Sequence, residues 1–63
     1  MPTITIEGPK IEDLDKKRVL VKELTAAASK AYGIAEQAMV VLIKENAPEN
    51  VGLGGELLAD RRR

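Results

Sequence analysis

The chain has no cysteine, no histidine, no tryptophan and no phenylalanine, and Tyr32 is its one aromatic residue. Without cysteine or histidine there is no disulfide, no ordinary zinc site and no nucleophilic triad. A single aromatic ring leaves no stacking platform for nucleic acid bases. Ten basic residues against ten acidic ones give a formal net charge of zero, so no global field draws phosphate backbones or anionic lipid. The longest apolar run is far too short to span a bilayer. No charged segment leads into a long apolar one as in a secretory signal, which favours the cytoplasm. Nucleic acid and membrane are therefore not the expected partners.

What is present is apolar for so short a chain: 44% of 63 residues are hydrophobic. Residues 1–63 make one small domain, and ordering them costs roughly 1.5 kcal/mol per residue, which about cancels what one small core supplies. A chain of this size also leaves much of its apolar surface uncovered when folded alone. The expectation is an obligate oligomer whose subunits complete each other's cores.

Four segments follow from the periodicity. Pro2 to about Glu7 alternates, with Ile4 and Ile6 on one face and Thr3 and Thr5 on the other, which predicts a strand with one buried face. Gly8 and Pro9 end it, leaving Lys10 and Ile11 in a loop. A helix is predicted from about Leu14 to Tyr32, with Asp13 as N-cap and Gly33 just past its end. Its apolar stripe is Leu14, Leu20, Val21, Leu24, Ala28 and Ala31, opposite Arg18, Lys22, Thr25 and Ser29. Glu12 with Lys16 and Asp13 with Lys17 are spaced as i,i+4 ion pairs. After a polar turn through Glu36 and Gln37, Met39 to Ile43 is a continuous apolar run that suits a strand covered on both faces. Strand, helix and strand make a right-handed unit with parallel strands. The turn-rich stretch from Asn46 to Asn50 leads into Val51-Gly52-Leu53-Gly54-Gly55, which predicts a hairpin or bulge, with Glu56 to Arg63 as a short strand or tail. The fold class is α+β: a β-α-β unit with a C-terminal hairpin, its sheet completed by oligomerisation.

The candidates for chemistry are few. Gly52-Leu53-Gly54-Gly55 fails as a dinucleotide loop, because Leu57 stands where a third glycine belongs and no second β-α-β unit follows. Arg61-Arg62-Arg63 reads as a solvated tail, or as a source of an arginine that reaches an anionic ligand in a neighbouring subunit. The acids Glu12 and Asp15 flank a helix start and suit its dipole without any catalytic role. No lysine lies in a buried segment where its amine would become a Schiff-base nucleophile. Pro2 remains. If Met1 is removed, its nitrogen becomes a secondary amine, and an α-amino group titrates near 7.7–8.0, lower when desolvated or beside a cation. Such an amine is a general base at neutral pH.

Pro2, the long helix, the buried second strand and Gly52-Leu53-Gly54-Gly55-Glu56 before a basic tail together resemble the 4-oxalocrotonate tautomerase family over nearly the whole chain. The resemblance implies a hexamer built as a trimer of dimers. It also implies an N-terminal proline that moves a proton between the 2-hydroxyl and a distant carbon of a small anionic enol, with no cofactor and no metal. The best-known members carry one arginine just after the first strand and another in the second strand. Here the first region reads Pro9-Lys10-Ile11-Glu12, so Lys10 is the expected carboxylate or carbonyl partner, a point charge without arginine's planar fork. The second position is Val40, and Lys44 or a tail arginine such as Arg62 from another subunit is the available substitute. Val51 stands where the family has a larger aromatic wall residue, and Leu53 keeps an aliphatic wall. The expected activity is keto–enol tautomerisation of a 2-hydroxy-dienoate or arylenolpyruvate. The alternative is a non-catalytic oligomeric module on the same scaffold.

Overall fold

A computed structural model of the chain describes residues 1–61. Two strands, β1 (Thr3–Gly8) and β2 (Val40–Glu45), pair in parallel and are joined by the helix α1 (Leu14–Tyr32). The register runs from Thr3 opposite Val40 to Gly8 opposite Glu45. Ile4, Ile6, Val41 and Ile43 therefore share the face that α1 covers, and all four are half-buried. Thr3, Thr5 and Leu42 share the other face and are exposed. The alternating strand is thus as expected, whereas the continuous apolar run is covered on one side only within a single chain. Both strands also reach further than predicted at their C-terminal ends, because Gly8 still pairs opposite Glu45.

The ends of α1 follow local chemistry. The Asp13 carboxylate accepts from the Asp15 amide at 2.8 Å, satisfying one of the orphan donors of the first turn. Gly33 adopts φ 69°, a left-handed conformation open to glycine, and its N–H donates to the Ser29 carbonyl at 2.8 Å. The predicted ion pairs from Glu12 to Lys16 and from Asp13 to Lys17 do not form. Asp13 is occupied with capping, and Lys17 instead reaches Glu45 on β2 at 2.7 Å, while Asp15 pairs with Arg18 at 2.6 Å. The packing stripe is also rotated from the expected one. Leu14 and Ala31 are exposed, whereas Lys17, Thr25 and Ser29 are half-buried along with Leu20, Val21, Leu24 and Ala28.

A 3₁₀ turn over Glu36–Ala38 leads into β2, and another over Pro48–Asn50 leaves it. The C-terminal hairpin is present but very short: β3 (Gly52–Leu53) pairs antiparallel with β4 (Glu56–Leu57). Gly54 and Gly55 form its two-residue loop with φ 61° and 87°, the positive values of a type I′ turn. The chain does not continue as a strand beyond Leu57, because Leu58–Arg61 closes into a 3₁₀ turn. Arg61 pairs there with Glu56 at 3.0 Å.

No side chain among the described residues is fully buried. The radius of gyration is 15.1 Å, against about 11 Å for a compact domain of this length. The fold is a thin layer of one helix on two strands, and its core lies half open.

Candidate active site

Pro2 immediately precedes β1. Its carbonyl accepts from the Val40 amide at 3.1 Å, so the first residue of β2 pins the proline to the N-terminal end of the sheet. Pro2, Met39 and Val40 are half-buried together, while Met1 is 88% exposed. The hydrogen-bond partner of Pro2 on β2 thus carries an aliphatic side chain where the resemblance implies a cation.

The other candidates lie elsewhere. Because β1 rises about 3.3 Å per residue, Gly8 stands about 20 Å from Pro2. Lys10 follows Gly8 and Pro9, exposed, at that far end. Val51 is also there: it lines a cavity of about 280 Å³ together with Gly8, Pro9, Asn46, Pro48 and Leu58. Leu53 sits on the hairpin beyond it and is 54% exposed. A second cavity of about 250 Å³, lined by Ile6, Pro9, Lys10, Ile11, Ile43 and Lys44, adjoins the first through Gly8 and Pro9. The fold therefore brings Lys10 and Lys44 to one cavity, and Val51 to the neighbouring one, and keeps Pro2 apart from both. Arg62 lies outside the described residues. The described residues hold no group of three or more metal-ligating acidic, histidine or cysteine side chains.

The far end carries a feature that periodicity did not reveal. The Glu45 carboxylate accepts from the Ile11 amide at 3.0 Å and pairs with Lys17 at 2.7 Å. The bond from Lys17, with the Ile11 amide behind it, holds the Glu45 carboxyl below the ordinary glutamate value of 4.5. Next to it, the Asn46 backbone N–H donates to the Gly8 carbonyl at 2.9 Å, and its side-chain amide donates to Glu7 at 2.9 Å. These contacts join residues 34 and 39 positions apart in the chain, so no local sequence signal announces them.

The fold is that of a small β-α-β protein with a proline at its second position, and comparison with known proteins supplies the family. The family profile described as "Tautomerase enzyme" matches residues 2–61, and the chain belongs to the tautomerase family. A Bacillus cereus protein called "Probable tautomerase" is 31% identical over 61 residues, covering 97% of this chain and all of the relative. The crystal structure of DmpI from Archaeoglobus fulgidus is 46% identical, covers 94% of this chain and 100% of its own, and superposes with a TM-score of 0.81. A subunit of a heterohexameric 4-oxalocrotonate tautomerase from Chloroflexus aurantiacus is 26% identical, with a TM-score of 0.83 over 98% of this chain and 100% of its own.

Proposed function

We propose that the chain is a keto–enol tautomerase of small 2-hydroxy-dienoates or arylenolpyruvates, with the amine of Pro2, exposed by removal of Met1, as its base. The observation that supports this reading is the setting of Pro2: anchored through its carbonyl by Val40, beside half-buried aliphatic side chains, and preceded by a methionine that stands in solvent. The neutral amine takes the proton of the 2-hydroxyl. The O–H electron pair becomes the carbonyl π bond, the conjugated double bonds shift by one place, and the ammonium returns the proton to the distant carbon. Base and acid are one group, so a pKa near neutrality serves both halves of the cycle.

Lys10 receives the substrate carboxylate. Since Lys10 and Pro2 stand at opposite ends of β1, one ligand meets both only between two copies of the chain. The reading therefore includes a homo-oligomer, a hexamer as in the trimer-of-dimers arrangement that the resemblance implies. Val51 and Leu53 form apolar walls of the shared site, and a tail arginine such as Arg62 supplies the second cation. A substrate with a single carboxylate and an apolar substituent suits a site with Val40 beside the base.

The test is ketonisation of phenylenolpyruvate by protein shown by mass to lack Met1. Pro2→Ala is expected to lower kcat about 10²- to 10⁴-fold, the usual range for a positioned general base. Equal rates for the two proteins would refute the reading and favour the non-catalytic module.

A further inference from the structure

The loop that carries Lys10 is short and restrained at both ends. At its start, Gly8 is tied to Asn46 through a backbone hydrogen bond of 2.9 Å, and Pro9 has its φ fixed by its ring. At its end, the Ile11 amide donates to the Glu45 carboxylate at 3.0 Å. Lys10 lies between these anchors, exposed, and makes no ion pair with the described residues. A carboxylate so close to a substrate-binding cation would ordinarily compete with the substrate for it. Here the direct partner of Glu45 is Lys17, at 2.7 Å, and Lys10 acts on the carboxylate only as the smallest of its charge interactions.

We propose that Glu45 is a positioning residue, which locks the Pro9–Ile11 loop through the Ile11 amide and so holds Lys10 ready for the substrate carboxylate. The proposal rests on the assignment of Lys10 made above. Glu45 does not touch the substrate; it acts by fixing the backbone at Ile11, immediately after Lys10. Lys17 has the supporting part of neutralising Glu45, and α1 is thereby coupled to the same loop.

A double-mutant cycle with Lys10 tests this, read as KM and kcat for phenylenolpyruvate. Glu45→Ala removes the lock and is expected to raise KM about tenfold, the factor that a hydrogen bond to a charged group commands, with kcat little changed. Glu45→Gln keeps an acceptor for the Ile11 amide and is expected to bring KM back to within about twofold of the parent protein. In the Lys10→Ala background, Glu45→Ala should add no further rise, since the cation it positions is gone. If Glu45 acted only through its charge, the Ala and Gln variants would change KM alike, and that result overturns the proposal. A full additional rise in the Lys10→Ala background overturns it too. An unchanged KM in Lys10→Ala alone refutes the assignment of Lys10, and the proposal with it. A raised KM there beside a normal KM in Glu45→Ala refutes only the positioning role. Should Glu45→Ala fail to fold, Ile11→Pro deletes the donor and leaves the pair between Glu45 and Lys17 intact. It must then raise KM to the same degree, and a normal KM in that variant overturns the lock.

Discussion

At the scale of single residues, Glu45 connects three segments with one carboxylate: its own strand, the loop at Ile11 and the helix at Lys17. Its titration is held below 4.5, chiefly by Lys17 and next by the Ile11 amide. A depressed folded-state value means that Glu45 contributes stability above its unfolded pKa and loses it as pH falls through the folded one. Glu45→Gln is therefore expected to lower Tm at pH 7 relative to the parent protein. The gap should narrow as pH drops below about 4.5, the ordinary glutamate value, and close once the parent carboxylate is protonated. Thermal unfolding at matched protein concentration between pH 3 and pH 7 measures this, and a gap independent of pH would rule it out. Asp13 shows the same economy of local chemistry. Its side chain caps α1, and that use withdraws it from the ion pair with Lys17 that spacing alone suggests.

At the scale of elements, the hairpin depends on two glycines. Gly54 and Gly55 both have positive φ, and an added Cβ would meet no other atom at either position. Any cost of substitution is therefore conformational rather than steric crowding. Gly54→Ala is expected to destabilise by about 1 kcal/mol, while Gly54→Asn, which tolerates the left-handed region, costs clearly less. Chemical denaturation of the two variants compares them, and equal losses would argue against the type I′ turn as the cause. The helix illustrates a different element-level effect. Thr25 lies four residues after Val21 and three before Ala28, so it belongs to the packed stripe by angle, despite its hydroxyl. Reading polarity as exposure put it on the wrong side.

At the scale of the whole molecule, what matters most is the surface left open. The accessible area is 5031 Å², whereas a folded monomer of this mass exposes about 4,000 Å². The excess is about what one partner buries in a standard protein interface. Leu14, Leu42 and Leu53 are among the exposed side chains, and the two-stranded sheet of β1 and β2 is too small to stand alone. Leu42 is the central apolar residue of the uncovered sheet face. On the proposed function, in which Pro2 and Lys10 share a site between copies, Leu42→Lys is expected to give smaller species than the parent protein at micromolar concentration, with loss of ketonisation. Sedimentation velocity and activity are read on the same samples. An intact assembly would show that this face is not where the copies meet.

Much of this was legible in the chain. Alternation in Thr3 to Ile6, the cap at Asp13, the glycine at 33 and the glycine pair at 54 and 55 are local signals, and each is set by the conformational preference of a few adjacent residues. They were enough to lay out the helix, the parallel strands and the hairpin, while Pro2 stood out by its place behind Met1 together with the absence of any other candidate base or nucleophile and the glycine segment from Gly52 to Glu56. The Glu45 contacts were not legible, since Ile11 and Glu45 come together only when β1 and β2 pair in register. The separation of Pro2 from Lys10, by contrast, follows from the predicted strand itself, since an extended segment rises about 3.3 Å per residue. By itself the sequence determined the elements and the candidate base, through short-range sterics and periodicity. Only the tertiary structure decided which charged and polar groups meet, Glu45 with Lys17 and Glu45 with the Ile11 amide, because strand pairing and helix packing bring residues together that are distant in the chain.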